Sequence, residues 1–400
     1  MLLPLVLQLV AVTHVTVVDV AAGRSLPDMT VVVDRARIRA VGPSASLATP
    51  AEARTLDGRG RFLIPGLWDM HVHSDTPSGR AMLALYVANG VTGVRDMAGD
   101  WSTLQRWRRE IEAGTPVGPR MVAPGPYLDG RAPPIPHITV RTVADARAAV
   151  DSLARLGVDF VKVHSAVPRD AFFEPARRAR ERHLAIAGHL SSNVTVEEAS
   201  DAGQRSLEHL LGFGNRCAPP ESTTFARADV LRRIIFGRCT SVDQANVYRH
   251  LARNGTWVTP TMTAAYEFAI LPERALPADS LAPYLSDSLR AFLVQIFADT
   301  PTDSAVDAAL GKRMFAKRLE TLGAIARAGV PILAGTDAPM RNSTPGFGLH
   351  EELSYLVQAG LTPLAAHRAA TLEPARYLGA LDSLGTMPAG MVAELVVVDA

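Results

Sequence analysis

The stretch Leu63-Ile64-Pro65-Gly66-Leu67-Trp68-Asp69-Met70-His71-Val72-His73 sets the reading of the whole chain. Its apolar residues predict a buried strand, and that strand ends on two imidazoles two positions apart. Along a strand, residues i and i+2 lie on one face. His71 and His73 can therefore converge on one point while Val72 faces the other way. Such a pair is either a structural hydrogen-bonding pair or part of a metal site, histidine being the commonest metal ligand.

Outward from this run the chain alternates strand and helix. Further strands are expected at Gly90–Asp96, Arg120–Pro124, Phe160–His164, Leu184–His189, Ser206–His209, Trp257–Pro260 and Val330–Gly335. A helix is expected around Arg80–Asn89. Thr142, with Asp145 three residues on, predicts a capped helix start. Val143, Ala146, Val150 and Leu153 then keep helical spacing up to a stop at Gly157. Thr195 and Glu198 repeat the cap, and Gly203 the stop. Eight strands, each followed by a helix, predict an α/β fold of the (β/α)8 TIM-barrel type. The alternative is a doubly wound open sheet, but no G-x-G-x-x-G follows the first strand.

Flanking the barrel are shorter, alternating patterns. Val15, Val17, Val31-Val32-Val33 and Ile38, separated by turn signals at Ala22-Gly23, Pro27-Asp28 and Gly42-Pro43, predict three or four strands. The run Glu394–Asp399 is β-like again. Residues 1–63 and 384–400 are thus expected to form one discontinuous β-sandwich, with the barrel occupying 64–383.

Composition narrows the possibilities. Of 400 residues, 48% are hydrophobic, enough for a large core. The 41 Lys+Arg balance 40 Asp+Glu, leaving a net charge of +1 and no electrostatic case for nucleic acid. No apolar run is long enough to span a bilayer. Cys217 and Cys239 either pair, in an exported protein, or stay as free thiols. The apolar Met1–Val12 reads as a signal-peptide core without a positive n-region, or as a first strand. It tilts the expected location towards export over the cytoplasm.

Lysine occurs only at positions 162, 312 and 317. Lys162 sits among Phe160, Val161 and Val163, where an unpaired ammonium is costly to bury. Three outcomes are open: a depressed pKa, a carbamate formed with carbon dioxide, or a side chain that snorkels to solvent. His189, His209 and Asp337 each end an expected strand. In a barrel those ends share one face, where active sites sit. Each of these residues alone has an ordinary structural explanation. Together with His71 and His73 at the same face, they do not.

At these positions the chain resembles the amidohydrolase superfamily. The run Pro65–His73 is similar to the family's first-strand signature, and Lys162 falls where the family carries a carboxylated lysine. Leu85–Asp96, Gly125–Gly130, Ala199–His209 and Leu349–Ala370 look like the imidazolonepropionase-related branch, with its prolidase-like dipeptidases, carboxypeptidase-like enzymes and ochratoxin-hydrolysing amidases. The resemblance implies two divalent metal ions, zinc by ligand type. His71, His73 and Asp337 would hold one, His189 and His209 the other, and carboxylated Lys162 would bridge them. It implies hydrolysis of an amide or peptide C–N bond by metal-bridged hydroxide, with Asp337 as proton carrier. Other possibilities on the same residues are an esterase or lactonase, or an inactive binding protein. Departures from the pattern are His164, where relatives often carry Tyr, Met391-Val392-Ala393-Glu394 in place of a more usual Lys-Leu-Ala-Asp, and an end at Ala400 where relatives add strands.

Substrate contacts are expected from Tyr127, His137, His164, Thr261 and Arg341, with His350 at the pocket rim. The expected partner is a small molecule or short peptide, and a homo-oligomer is compatible with the sequence.

Overall fold

A computed structural model describes residues 9–399, apart from 134, 192–193, 214–240, 271–281, 299–307 and 341–342. Residues 1–8, Cys217, Cys239 and Arg341, on which some expectations fell, lie outside the described residues.

The chain begins in a mixed sheet of β1 (Val10–Asp19), β2 (Arg24–Asp34), β3 (Arg37–Pro43), β4 (Arg54–Asp57) and β5 (Arg61–Pro65). The last strand, Leu395–Asp399, joins the same sheet antiparallel to β5. These strands form one hydrogen-bonded sheet, bent along β1. His14 adopts a left-handed φ of 57°, and the ladder is irregular on both sides of Val15. Such a bulge turns the strand. Val10–Thr13 therefore pairs with β4, while Thr16 and Val17 pair with β5. Val12, Val15, Val17, Val31, Ile38 and Leu63 close over Met387 and Met391 in a separate small core.

Beyond Gly66 the strands are parallel. They are β6 (Leu67–Val72), β7 (Val91–Asp96), β8 (Arg120–Val122), β9 (Tyr127–Asp129), β10 (His137–Thr139), β11 (Phe160–Val163), β12 (Ala185–Gly188), β13 (Gln204–Glu208) and β14 (Trp257–Thr259). Every residue of β6 and β11 is buried, as expected of strands covered on both faces. One sheet runs β6-β7-β8 and another β10-β9-β11-β12-β13-β14. The stretch 330–338 lies between them. Leu333 N donates to Val258 O (2.9 Å), and Met70 N donates to Ala334 O (2.9 Å). It pairs through isolated bridges to β14 and β6 and forms no regular strand. Two causes are local: Pro331 has no N–H to donate, and Asp337 is left-handed at φ 65°. Asp159 N reaches Ala123 O at 3.0 Å beside β8, and Val163 pairs with Leu128 of β9. β9 and β10, absent from the sequence expectation, fill the connection before the helix Val143–Leu156.

The helices follow their local chemistry. Gly79–Ala88 stands where 80–89 was expected. Thr142 and Asp145 form a full capping box, and Gly157 ends the helix at φ 74°. Thr195 and Glu198 do the same for Val196–Ala202, which ends at Gly203. No helix among the described residues is long and apolar enough to cross a membrane.

Candidate metal centre

The parallel strands end at a cluster of imidazoles. The ring centroids of His71 and His73 are 5.5 Å apart, those of His71 and His209 4.5 Å, and those of His189 and His209 4.7 Å. His164 lies 4.2 Å from His189. Asp337 closes the group, its Oδ1 being 3.4 Å from His71 Nε2 and 3.2 Å from His73 Nε2. His209 Nδ1 is 4.0 Å from Asp337 Oδ2.

The backbone works to aim these groups. Left-handed φ angles occur at His209 (64°), Leu210 (55°), Thr261 (47°) and Asp337 (65°). For a β-branched threonine this conformation is a clear outlier. Such strain persists where the surroundings over-determine it, and it gathers at functional sites. Asp337 N donates to His71 O at 2.7 Å, pinning the turn to β6. Asp69, buried in β6, accepts from Thr336 N (3.0 Å), Thr336 Oγ1 (2.7 Å) and His71 N (3.2 Å). Burial pushes its carboxyl up to about 7 against those bonds. Gly335 lets β6 come close, because a Cβ there would lie 2.9 Å from His71 Cβ.

Four of these imidazoles have a polar neighbour close to Nδ1. His71 Nδ1 lies 2.8 Å from Glu208 Oε2, with both side chains fully buried. His189 Nδ1 meets Ser165 Oγ at 3.0 Å, and His209 Nδ1 meets Thr261 Oγ1 at 2.7 Å. His164 Nδ1 is 2.7 Å from Asp129 Oδ2. Burial, and next Lys162, drives His71 and His189 well below the ordinary histidine range, so both are neutral. Burial lowers His209 to about 4.

Lys162 is only 2% exposed, so it does not snorkel to solvent. Burial lowers its amine to about 8, despite the opposing pull of Glu208 and Asp337. Its stem passes over Gly188, where a Cβ would come within 2.9 Å of Lys162 Cδ and 2.1 Å of Val163 O. Burial would raise the Asp337 carboxyl, but His209, His73 and His71 outweigh it and hold the group far below the usual carboxylate range.

These residues suit a cation. His71 Nε2 is buried without a hydrogen-bond partner, although its other nitrogen is satisfied. It converges with His73 and Asp337, the ligand atoms all lying within 4.8 Å of one another. Two imidazole lone pairs and a carboxylate at one point form a usual donor set for a divalent transition metal.

The outer residues expected to meet substrate have these neighbours in the structure. Thr261 is buried and its hydroxyl is engaged by His209, so it positions an imidazole and is not open to substrate. Tyr127 is buried with its ring 5.0 Å from His164. His137 Nδ1 bonds Ile135 O at 2.9 Å, its ring 6.4 Å from Tyr127. His350, expected at the pocket rim, is exposed, and its Nε2 bonds Asn89 O at 3.0 Å, where the helix Gly79–Ala88 ends. Helical register turned it to a neighbouring helix.

Two residues that the sequence reading passed over are central here. Arg95, fully buried in β7, donates to both oxygens of Glu208 (3.0 Å each), to Met70 O (2.6 Å), Ser206 Oγ (2.9 Å), Tyr377 OH (3.0 Å) and Thr259 Oγ1 (3.1 Å). Their signal was available: opposite charges inside two largely buried strands must find partners.

The chain is similar to the structure of the bottromycin amidohydrolase, with TM-score 0.75 and 25% identity over 98% of this chain and 82% of that one. A Xaa-Pro dipeptidase with methionine bound in its active site matches with TM-score 0.69 and 18% identity, covering 98% and 94%. The ochratoxinase of A. niger matches with TM-score 0.68 and 19% identity, covering 98% and 90%. Among curated proteins, the adenine deaminase of Rubrobacter xylanophilus is 36% identical over 81 residues, a match to 19% of this chain and only 13% of that protein. The profile of the amidohydrolase family matches residues 62–400, and on that match the chain belongs to the amidohydrolase family.

Proposed function

We propose that this protein hydrolyses an amide or peptide C–N bond with two divalent metal ions held among the strand ends. The observation that carries the reading is the convergence of His71 Nε2, His73 Nε2 and Asp337 around a buried nitrogen without a partner. His71, His73 and Asp337 would hold one ion, and His189 and His209 the other. Lys162 would bridge them as a carbamate: its amine adds to carbon dioxide, forming the N–C bond and releasing one proton. The lowered pKa of Lys162 supports this, since the neutral amine is the reacting form. Zinc is the metal we assign, on ligand type.

When bound, the ions would lower the pKa of water from about 15.7 towards about 7 and polarise the scissile carbonyl. The protein's own groups do the rest. Asp337, ionised at neutral pH and partly open to the site, accepts the proton of the attacking water and passes it to the leaving amine. His164, held by Asp129, lines the same face and is the substrate contact we favour. The parallel strands β6–β14, with the stretch 330–338, are read as a (β/α)8 barrel over 64–383, with a discontinuous β domain formed by residues up to 63 and from 384 onward. The substrate class draws on the dipeptidase and amidohydrolase among the matched structures.

The test is a hydrolysis screen over Xaa-Pro and Xaa-Arg dipeptides and N-acyl amino acids, with zinc and bicarbonate present. Metal-dependent release of the amine is expected. Cleavage of a p-nitrophenyl ester with no amide cleaved would contradict the C–N assignment.

A further inference from the structure

We propose that Glu208, clamped by Arg95, is a positioning residue that fixes the tautomer of His71 and thereby sets metal affinity on the His71–His73–Asp337 side. The affinity half of this inference rests on the metal reading above; the tautomer half does not.

The donors around Glu208 are fully specified. Oε1 accepts from Ser206 Oγ at 2.6 Å and from Arg95 Nη2 at 3.0 Å. Oε2 accepts from Arg95 Nη2 at 3.0 Å and faces His71 Nδ1 at 2.8 Å. A carboxylate whose two oxygens share one guanidinium nitrogen offers only lone pairs. His71 must then donate its Nδ1 proton, which leaves the lone pair on Nε2. That is the buried nitrogen aimed at Asp337 and His73. The protein thus presents a ligand-ready imidazole before any ion arrives. Arg95 is itself immobilised by Met70 O, Thr259 Oγ1 and Tyr377 OH, the last from the helix Leu372–Leu378. Carboxylate partners of this kind typically change metal affinity by about 10–100-fold.

Glu208→Gln separates this role from mere packing. Its amide oxygen belongs at the Oε1 position, where two donors point. Its NH2 would then face His71 Nδ1 and donate to it, forcing the proton onto Nε2. The experiment measures zinc affinity of the metal-free wild type and Glu208→Gln by chelator competition. It also reads the His71 tautomer in both from 15N–1H correlation spectra, assigned with His71→Gln. We expect Nδ1–H in the wild type, Nε2–H in Glu208→Gln, and a 10–100-fold weaker first zinc in the variant. Nε2–H in the wild type, or unchanged zinc affinity in a folded Glu208→Gln, would overturn the proposal. If Glu208→Gln fails to fold, the wild-type tautomer alone decides. A wild type that binds no zinc would overturn the metal reading and the affinity half, while the tautomer would still judge the role of Glu208.

Discussion

The two sides of the imidazole cluster are held by different chemistry. His71 is fixed by a buried carboxylate that is itself gripped by a buried guanidinium. His189 and His209 are held by the hydroxyls of Ser165 and Thr261. A carboxylate can only accept, whereas a hydroxyl rotates to donate or accept. One side therefore has its protonation pattern written into the fold, and the other takes it from whatever the imidazoles meet. Asp337 stands between them, within 4.0 Å of His209 and closer to His71 and His73.

Five substitutions probe this contrast. Asp337→Asn touches both sides at once and should cost most. Hydrolysis by the zinc-loaded enzyme should fall by about 10²–10⁴-fold or more, because the proton carrier is gone. An Asp337→Asn enzyme with full kcat and bound metal would remove Asp337 from the mechanism.

Arg95→Met acts on the His71 side through stability. It leaves Glu208 buried without its counter-charge, a loss of about 3–5 kcal/mol. Urea denaturation of the metal-free protein measures it; a loss under about 1 kcal/mol would show that the pair is not the anchor described.

Lys162 carries a pH signature. Its folded pKa is about 8 against an ordinary 10.5. Below pH 8 both states hold the proton, and the folded state bears the full burial cost. Between about 8 and 10.5 the unfolded chain binds more protons, so stability rises with pH. Asp69 and Glu352, both raised to about 7 by burial, act in the opposite direction and at lower pH, between their ordinary values and 7. In metal-free, bicarbonate-free buffer, Lys162→Met should abolish the rise between 8 and 10.5. Identical slopes for variant and wild type would place the amine in water.

Ser165→Ala and Thr261→Ala should have the smallest effect. Each removes one neutral hydrogen bond, about 0.5–1.5 kcal/mol, and so weakens the second metal by about tenfold or less. A loss from either equal to that from Glu208→Gln would erase the distinction between the two sides.

Much of this was legible in the sequence because periodicity and position sufficed. The i, i+2 spacing placed His71 and His73 on one face. The capping pairs Thr142–Asp145 and Thr195–Glu198 gave helix starts that the structure repeats. Lys162 stood out as a rare lysine in an apolar strand. What escaped depends on pairing across strands. Glu208 is next to His209 in sequence, yet its partners Arg95 and His71 lie 113 and 137 residues away. Strand alternation shows that such a charge is buried; it does not say which residue meets it. Thr261 and Asp337 were similarly hard to aim, since a left-handed backbone turns a side chain off the regular alternation. The direction of His350 was also hidden, because the contact its ring makes, with Asn89 O, is 261 residues away in the chain.

The account stands most directly on metal counting. Protein equilibrated with zinc and bicarbonate, then freed of loose metal, is analysed for zinc per chain, and amide hydrolysis is assayed on the same sample. We predict two zinc ions per chain and cleavage of the C–N bond, both lost on removal of the metal. Less than one zinc per chain together with no hydrolysis of any amide tested would contradict it.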